Sequence, residues 1–500
     1  MAKVLFLNPS RWGRGITPIW VASHSAVLRS RGHEVALFDA TFFRDFAHNE
    51  NAYNTANRQY KPSAYDASIR WNDTPVVQAL QAKIDAFKPD YIFFAAISSH
   101  IHGEGEYAAI QHGHGLLRQV NSAATIVSGG LQPTADAAET ADRFPMINMF
   151  IGGESELVLG ELVTAGSPRG IKGMIWRDGE RVFVEPKQPI ISQMDAIGAY
   201  DYSLFDEQVF LRPYNGQVVK AVDYELSRGC PFTCGYCVET VIQRYYGFTE
   251  TSPRGALTQM KSYLRHKSAE RVFEELNTLN REHGVTLIRA QDTNFLTIDR
   301  STLLGLADRF DAAGDALSLQ FYIETRPEGI NPSSLTLLKR LRVDGVGMGI
   351  ELAGQQFRES SLNRFADQKA ILRAFALLKE AGIRRTAYNI IGLPDQNEES
   401  ILDTIRFNQE LAPDNVTVAF YSPYLGTAQQ RVGADKQYFL DYEFDLDSQL
   451  RSMSRHAVLS EQLLSFYKRN FVRLVQDGLG DLNALKEAEG LATAPAMVRG

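Results

Sequence analysis

The chemistry-bearing residues of this chain gather in one short stretch, RGCPFTCGYCVE, which holds Cys230, Cys234 and Cys237. No other cysteine occurs among the 500 residues. Thiolates spaced by three and then two residues can wrap one corner of a cuboidal iron–sulfur cluster, which is held by cysteines and normally takes four. A cluster held here would keep one iron without a protein thiolate, an open position of the kind catalytic metals retain. Zinc is the alternative, but it needs a fourth ligand, and the nearest histidine that follows is His266. A trio of packed structural thiols is disfavoured because Gly229, Pro231 and Gly235 mark the stretch as a loop.

That loop needs a scaffold. AVDYELSRGC (221–230) reads as a strand running into it. Five further strands follow: VTLIRAQDTNF (285–295), SLQFYIETRPEG (318–329), GVGMGIELAG (345–354), TAYNIIGLPDQNEES (386–400) and VTVAFYSPYLGT (416–427). Helices of period 3.6 lie between them, such as DQKAILRAFALLKEAG (367–382), which a glycine stops. Six strand–helix units predict a partial (β/α)6 barrel, with the active site at the strand C-termini. Asp292, Glu324, Arg326 and Glu351 are polar residues that fall at those ends. Ion pairing within the barrel mouth is the bland alternative.

The first two hundred residues alternate strand and helix. KVLFLNP, HEVALFDA, DYIFFAAISS, ATIVSGG and MINMFIGGESE are short apolar runs separated by helical stretches, the pattern of a doubly wound parallel sheet. Such sheets bind ligands at their strand C-termini. Asn8, Ser98-Ser99, Gly129-Gly130 and Gly152-Gly153-Glu154 lie there, either as contacts to a large planar ligand or as ordinary turns. His100, His102, His112 and His114 have a spacing that suits neither one helix face nor a common metal motif. The stretch 173–186 reads as a hairpin turned at Asp178-Gly179.

These readings divide the chain into a Rossmann-like domain (1–190), a linker (191–215), a barrel (216–430) and a C-terminal helical region (431–500), predicted to cap the barrel mouth. The segment 241–266, containing QRYYGF, reads as a substrate-facing insertion or a surface loop. A net charge of −7 argues against a nucleic-acid footprint. No apolar run approaches the roughly 20 residues of a membrane span. The N-terminus lacks signal-peptide features and three clustered cysteines form no disulfide framework, so a cytoplasmic location is expected.

Cys230-Pro-Phe-Thr-Cys234-Gly-Tyr-Cys237 resembles the CxxxCxΦC signature of the radical S-adenosylmethionine (SAM) enzymes, with Tyr236 as the aromatic residue. The resemblance implies a 4Fe–4S cluster on the three cysteines and SAM chelated to its open iron. It also implies an electron donor such as flavodoxin or ferredoxin, and reductive cleavage of SAM to a 5′-deoxyadenosyl radical. The chain is similar, over about residues 1–430, to the subgroup with an N-terminal cobalamin-binding domain. Asp292 in QDTNF, Glu324-Thr325-Arg326, Gly349-Ile350-Glu351, Ile391-Gly392-Leu393-Pro394 and Ser422–Thr427 match its successive strand-end motifs. Tyr236, Asp292, Glu324, Arg326, Gly349, Glu351 and Gly392 are thereby implied in SAM binding. Asn8, Ser98, Ser99, Gly129, Gly130, Gly152, Gly153 and Glu154 are implied in cobalamin binding. The chain departs from the subgroup in that NPSRWGRGI replaces the DxHxxG motif that supplies a lower-face histidine and a long stretch, 241–266, follows Cys237; Gln291 also replaces the commoner acid and Leu425 a proline. The function implied is methylation of an unactivated carbon of a small-molecule or natural-product substrate. Ring formation, rearrangement or oxidation on the same architecture is the alternative.

Overall fold

The computed structural model describes residues 1–97, 103–436 and 459–491, with the side chains of 103–107 outside that description. Ser98, Ser99, His100 and His102 therefore lie outside the described residues. The N-terminal sheet is built from β1 (Lys3–Asn8), β2 (Glu34–Asp39), β3 (Tyr91–Phe94), β4 (Thr125–Ser128) and β5 (Met149–Ile151), all parallel. The hairpin of β6 (Met174–Asp178) and β7 (Arg181–Val184) adds antiparallel to its edge, giving the order β2-β1-β3-β4-β5-β6-β7. Apolar runs such as Val4–Leu7 are wholly buried because helices cover both faces of a parallel sheet.

The second sheet begins in the stretch read as linker. Strand β8 (Leu211–Tyr214) pairs antiparallel with β9 (Gln217–Tyr224). The two-residue strands β10 (Ser227–Arg228) and β11 (Arg265–His266) pair separately. Then come β12 (Leu287–Ala290), β13 (Gln320–Thr325), β14 (Val343–Glu351), β15 (Arg384–Ile391) and β16 (Asn415–Phe420). The order β16-β15-β14-β13-β12-β9-β8 places six parallel strands in an open, curled half-barrel, as the sequence pattern predicts.

Local chemistry sets the helices between. Ala269–His283 starts where the Ser268 side chain accepts from the Arg271 amide. It buries Val272, Leu276 and Leu279 on one stripe and ends at Gly284, φ +65°. One apolar core runs through both domains, joining Phe6 and Trp20 to Tyr200, Tyr202, Phe205 and Tyr224. Each such side chain contributes on the order of 1.5–3 kcal/mol by burial, so the two halves share stability.

Two predictions need correction. The described C-terminal helix, Glu461–Asp477, does not cap the mouth. It packs Leu464, Phe466 and Phe471 against Ile401, Ile405 and Val418 on the flank of the last barrel unit. Segment 241–266 is only in part a surface loop, exposed at Glu250, Arg254 and Lys261 among others. Leu257 and Tyr263 pack with Ile97 and Leu131 of the first domain, making it a joint between domains.

The half-barrel's open side, between β16 and β8, is closed by the first domain. Residues 9–18, which follow β1, dock on β9: the Thr17 amide donates to Asp223 at 3.0 Å, and the Asp223 amide donates to Thr17 Oγ1 at 2.7 Å. The excursion after β2 follows. The Val418 amide on the exposed edge of β16 donates to Gln59 Oε1 at 2.9 Å, and Gly15 donates to the Tyr65 hydroxyl at 2.7 Å. An edge strand's unpaired amide is thus satisfied by a side chain from elsewhere.

Candidate active site

The three cysteines line a cavity of about 450 Å³ at the C-terminal ends of the barrel strands. Their loop is held from behind. Glu239 accepts from the Cys230 amide at 2.9 Å and from Tyr263 Oη at 2.5 Å, while Gln243 donates to the Cys230 carbonyl at 2.8 Å. Cys230 and Cys234 are buried and none of the three is disulfide-bonded. Burial, with Glu239 adding to it, pushes the Cys230 thiol up to about 12. Two guanidiniums face the same sulfur: Arg326 Nη1 lies 3.6 Å and Arg364 Nη1 4.0 Å from Cys234 Sγ.

Among the described residues, no three His, Cys, Asp or Glu side chains converge as a single-ion site requires. Donor type, loop position and flanking cations fit a cluster.

Beside the thiols runs β14. Glu351 closes it in the left-handed region at φ +63°, an uncommon conformation for a residue with a side chain. The Tyr236 hydroxyl donates to Glu351 Oε1 at 2.8 Å, and Arg364 Nη2 stands 3.6 Å from that oxygen. A side chain at Gly349 would overlap the Glu351 carboxylate, and one at Gly347 would come within 2.5 Å of Tyr388 Oη. Glu324 accepts from Tyr388 Oη at 3.1 Å, and burial pushes its carboxyl up to about 7. Tyr236, Glu324, Arg326, Gly349 and Glu351 thus share one cavity wall.

Asp292 and Gly392 stand apart from it. Asp292 is fully buried, and its Oδ1 accepts from the Leu226 amide (3.1 Å) and the Ser227 amide (2.6 Å). It anchors the approach to the cysteine loop, and burial raises its carboxyl to about 7. Gly392 makes the turn after β15 at φ +82°, its amide donating to Gln396.

The N-terminal strand ends divide similarly. Asn8 donates to Asp39 at 2.9 Å, and Asp39 Oδ2 is buried without a hydrogen-bond partner. A side chain at Gly129 would meet the Ala95 carbonyl at 3.0 Å, and the nearest neighbours of Gly129 and Gly130 are first-domain residues at the ends of β3 and β5 and just beyond them. Barrel residues fill the edge at Gly152-Gly153-Glu154. Tyr245 Oη donates to the Gly152 carbonyl at 3.0 Å, and the Glu154 amide donates to Tyr246 Oη at 2.8 Å. Glu154 itself pairs with Arg265 at 2.6 Å. It belongs to a buried network in which Arg228 reaches Glu225 at 2.7 Å, Glu156 at 2.6 Å and Glu154 at 3.5 Å. His112 and His114 lie edge-on to Phe46 and Phe144.

Several wall residues carry no motif. Arg364 comes from the loop after β14, and Trp12, Arg14, Glu50 and Tyr60 come from the first domain. The unusual NPSRWGRGI and the polar run after β2 are their only traces in the sequence.

Residues 224–407 match the radical SAM superfamily model, so this barrel is a radical SAM domain. A Pyrococcus horikoshii protein named as an uncharacterised methyltransferase is 27% identical over 69% of this chain and 69% of its own length. The anaerobic magnesium-protoporphyrin IX monomethyl ester cyclase of Rubrivivax gelatinosus is 24% identical over 94% of this chain and 77% of its own. The radical SAM methyltransferase TsrM of Kitasatospora setae, solved with tryptophan and a SAM analogue, superposes with a TM-score of 0.62 at 16% identity. That match covers 88% of this chain and 77% of TsrM. TsrM is also solved with cobalamin and a [4Fe–4S] cluster bound. The radical SAM match thus lies within the barrel, and a Rossmann-like sheet precedes it. No helix among the described residues is long and apolar enough to cross a membrane.

Proposed function

We propose that this enzyme binds a 4Fe–4S cluster, SAM and cobalamin and methylates an unactivated carbon of a small-molecule or natural-product substrate. The observation that carries the reading is the shared cavity, with three thiols and two guanidiniums on one wall and first-domain side chains on another. A cluster with an open iron, carrying SAM, supplies a deoxyadenosyl radical, and cobalamin supplies a transferable methyl group; that chemistry belongs to the cofactors. The protein's part is to hold and orient them.

Cys230, Cys234 and Cys237 hold the cluster, and Arg326 and Arg364 offset the charge gathering at Cys234. Glu351, set by Tyr236 and Arg364, accepts from the amino group of SAM, and its strained backbone keeps the carboxylate aimed at that group. Gly347 and Gly349 give the adenosine access to backbone. Glu324 faces the cationic centre. Trp12, Glu50 and Tyr60 close the side of the cavity and exclude water from a reactive carbon. Asn8, Gly129 and Gly130 border the corrin. A flavodoxin or ferredoxin supplies electrons in a reducing compartment.

The test is anaerobic reconstitution with iron, sulfide and hydroxocobalamin, followed by cobalamin quantification and a transfer assay with methyl-labelled SAM. Retained cobalamin and labelled product support the reading. An intact cluster that makes 5′-deoxyadenosine without cobalamin or label transfer refutes it. That outcome leaves the second reading, a ring-forming or oxidising enzyme, which the similarity to a cyclase over 94% of the chain favours.

A further inference from the structure

A second chamber of about 160 Å³ opens off the cavity. The two share Arg14, Gln59, Tyr60, Arg289, Tyr388 and Thr417. It lies toward the strand N-termini: Arg212 stands opposite Val219, five residues before β9 ends. At about 3.3 Å per residue that is roughly 16 Å below the level where the cysteine loop departs.

Three guanidiniums line this chamber, from Arg14, Arg212 and Arg289. Glu50, Asp223 and Glu324 could balance them by charge. By hydrogen bonds they do not. Asp223 Oδ2 already accepts from the Thr17 amide, Thr17 Oγ1 and Arg212 Nη2, and Oδ1 accepts from Gln291 at 2.6 Å. Glu50 Oε1 takes Asn54 at 3.0 Å and Tyr60 at 3.4 Å, and Oε2 takes Arg14 Nε at 2.5 Å.

Donors remain over. Arg212 Nε and Nη1 are buried with no partner, on a side chain 2% exposed. The Arg289 guanidinium stands 3.9 Å from Glu324 and 5.6 Å from the centroid of the Tyr322 ring. Burial lowers Arg212 to about 10, with Arg14 and Arg289 adding to the shift. Buried donors left unpaired are destabilising, more so when charged, and guanidinium forks match planar or tetrahedral oxyanions.

We propose that this chamber receives an anionic head group, carboxylate or phosphate, of the substrate, which hangs from it with its reacting carbon toward the cysteine wall. The proposal rests on the radical-enzyme reading for the role of the ligand. The site itself rests only on the unpaired donors and the cavity.

Calorimetric titration of the reconstituted full chain with inorganic phosphate and with propionate tests it. The expected result is one saturable site for at least one anion, weakened tenfold or more by Arg289→Gln and by Arg212→Lys. Arg212→Lys keeps a cation beside Asp223, and thermal melting checks that both variants are folded. Arg340→Gln, at an exposed pair with Asp308 and Asp311, should bind as the parent does. Tighter propionate identifies a carboxylate head and tighter phosphate a phosphorylated one. If neither anion saturates, or if folded variants bind like the parent, the proposal is overturned. 5′-Deoxyadenosine formation in the same preparations separates the two readings. Its absence with intact anion binding refutes the radical chemistry alone, and its presence without anion binding refutes the chamber alone.

Discussion

Replacing Arg228 by methionine should destabilise the protein by about 3–5 kcal/mol, the usual consequence of removing one partner from a buried ion pair. Arg228 is 3% exposed and lies two residues before Cys230, with Glu225, Glu156 and Glu154 around it. A second route gives a similar magnitude. Burial alone would raise the Glu156 carboxyl, but Arg228 and His24 overcome it and hold the group down at about 2, from an ordinary 4.5. A shift of about 2.5 units corresponds to about 3.4 kcal/mol. The folded pKa is depressed, so this stability is present above pH 4.5 and is lost as pH falls toward 2. Arg228→Met should therefore lower the urea midpoint, followed by fluorescence, and flatten the acid limb between those values. Cluster loading should fall with it, since the cysteine loop loses its anchor. Adding Glu156→Gln should recover part of the loss. A folded Arg228→Met protein within 1 kcal/mol of the parent, with an unchanged acid limb, would refute the reasoning.

Glu324 carries the opposite sign. Burial raises its carboxyl to about 7, so its contribution to stability is full below 4.5 and lost as pH rises through 7. SAM affinity should move the other way, about tenfold weaker at pH 6 than at its high-pH plateau, and Glu324→Gln should abolish that dependence in equilibrium dialysis. Gly349→Ala pushes a methyl group into the Glu351 carboxylate. It should weaken SAM binding about 10–100-fold while iron and sulfide content stay at the parent level. Tyr236→Phe removes only the 2.8 Å bond to Glu351, a charged-acceptor bond contributing about 1.5–3 kcal/mol; SAM affinity measured beside an unchanged cluster spectrum checks it.

The sequence made the scaffold legible because each barrel strand carries an apolar run and ends in polar or turn residues. The strands ending near Glu324 and Glu351 are where that pattern placed them. Glu324, Arg326 and Glu351 reach the same cavity for the same reason. Asp292 was misleading because a strand-end carboxylate can turn back as easily as forward, and its neighbour amides at 226 and 227 captured it. Gly152, Gly153 and Glu154 face tyrosines from a segment some 90 residues later, a pairing that no local pattern encodes. Arg364, Arg14 and Arg289 likewise meet only through the tertiary fold. Long-range charge partners leave no period to read.

The closure of the barrel's open side by residues 9–18 and 50–69 has a consequence for the order of assembly. These segments leave the ribosome before the barrel does, yet the surfaces they complete, at Asp223 and Val418, are made some 200 to 360 residues later. The barrel therefore matures around a plug already waiting for it, and a barrel expressed alone would present an unsealed flank and a bare strand edge. Cofactor loading becomes a late event on a finished two-part body, and engineering that swaps the front half must carry the plug with it.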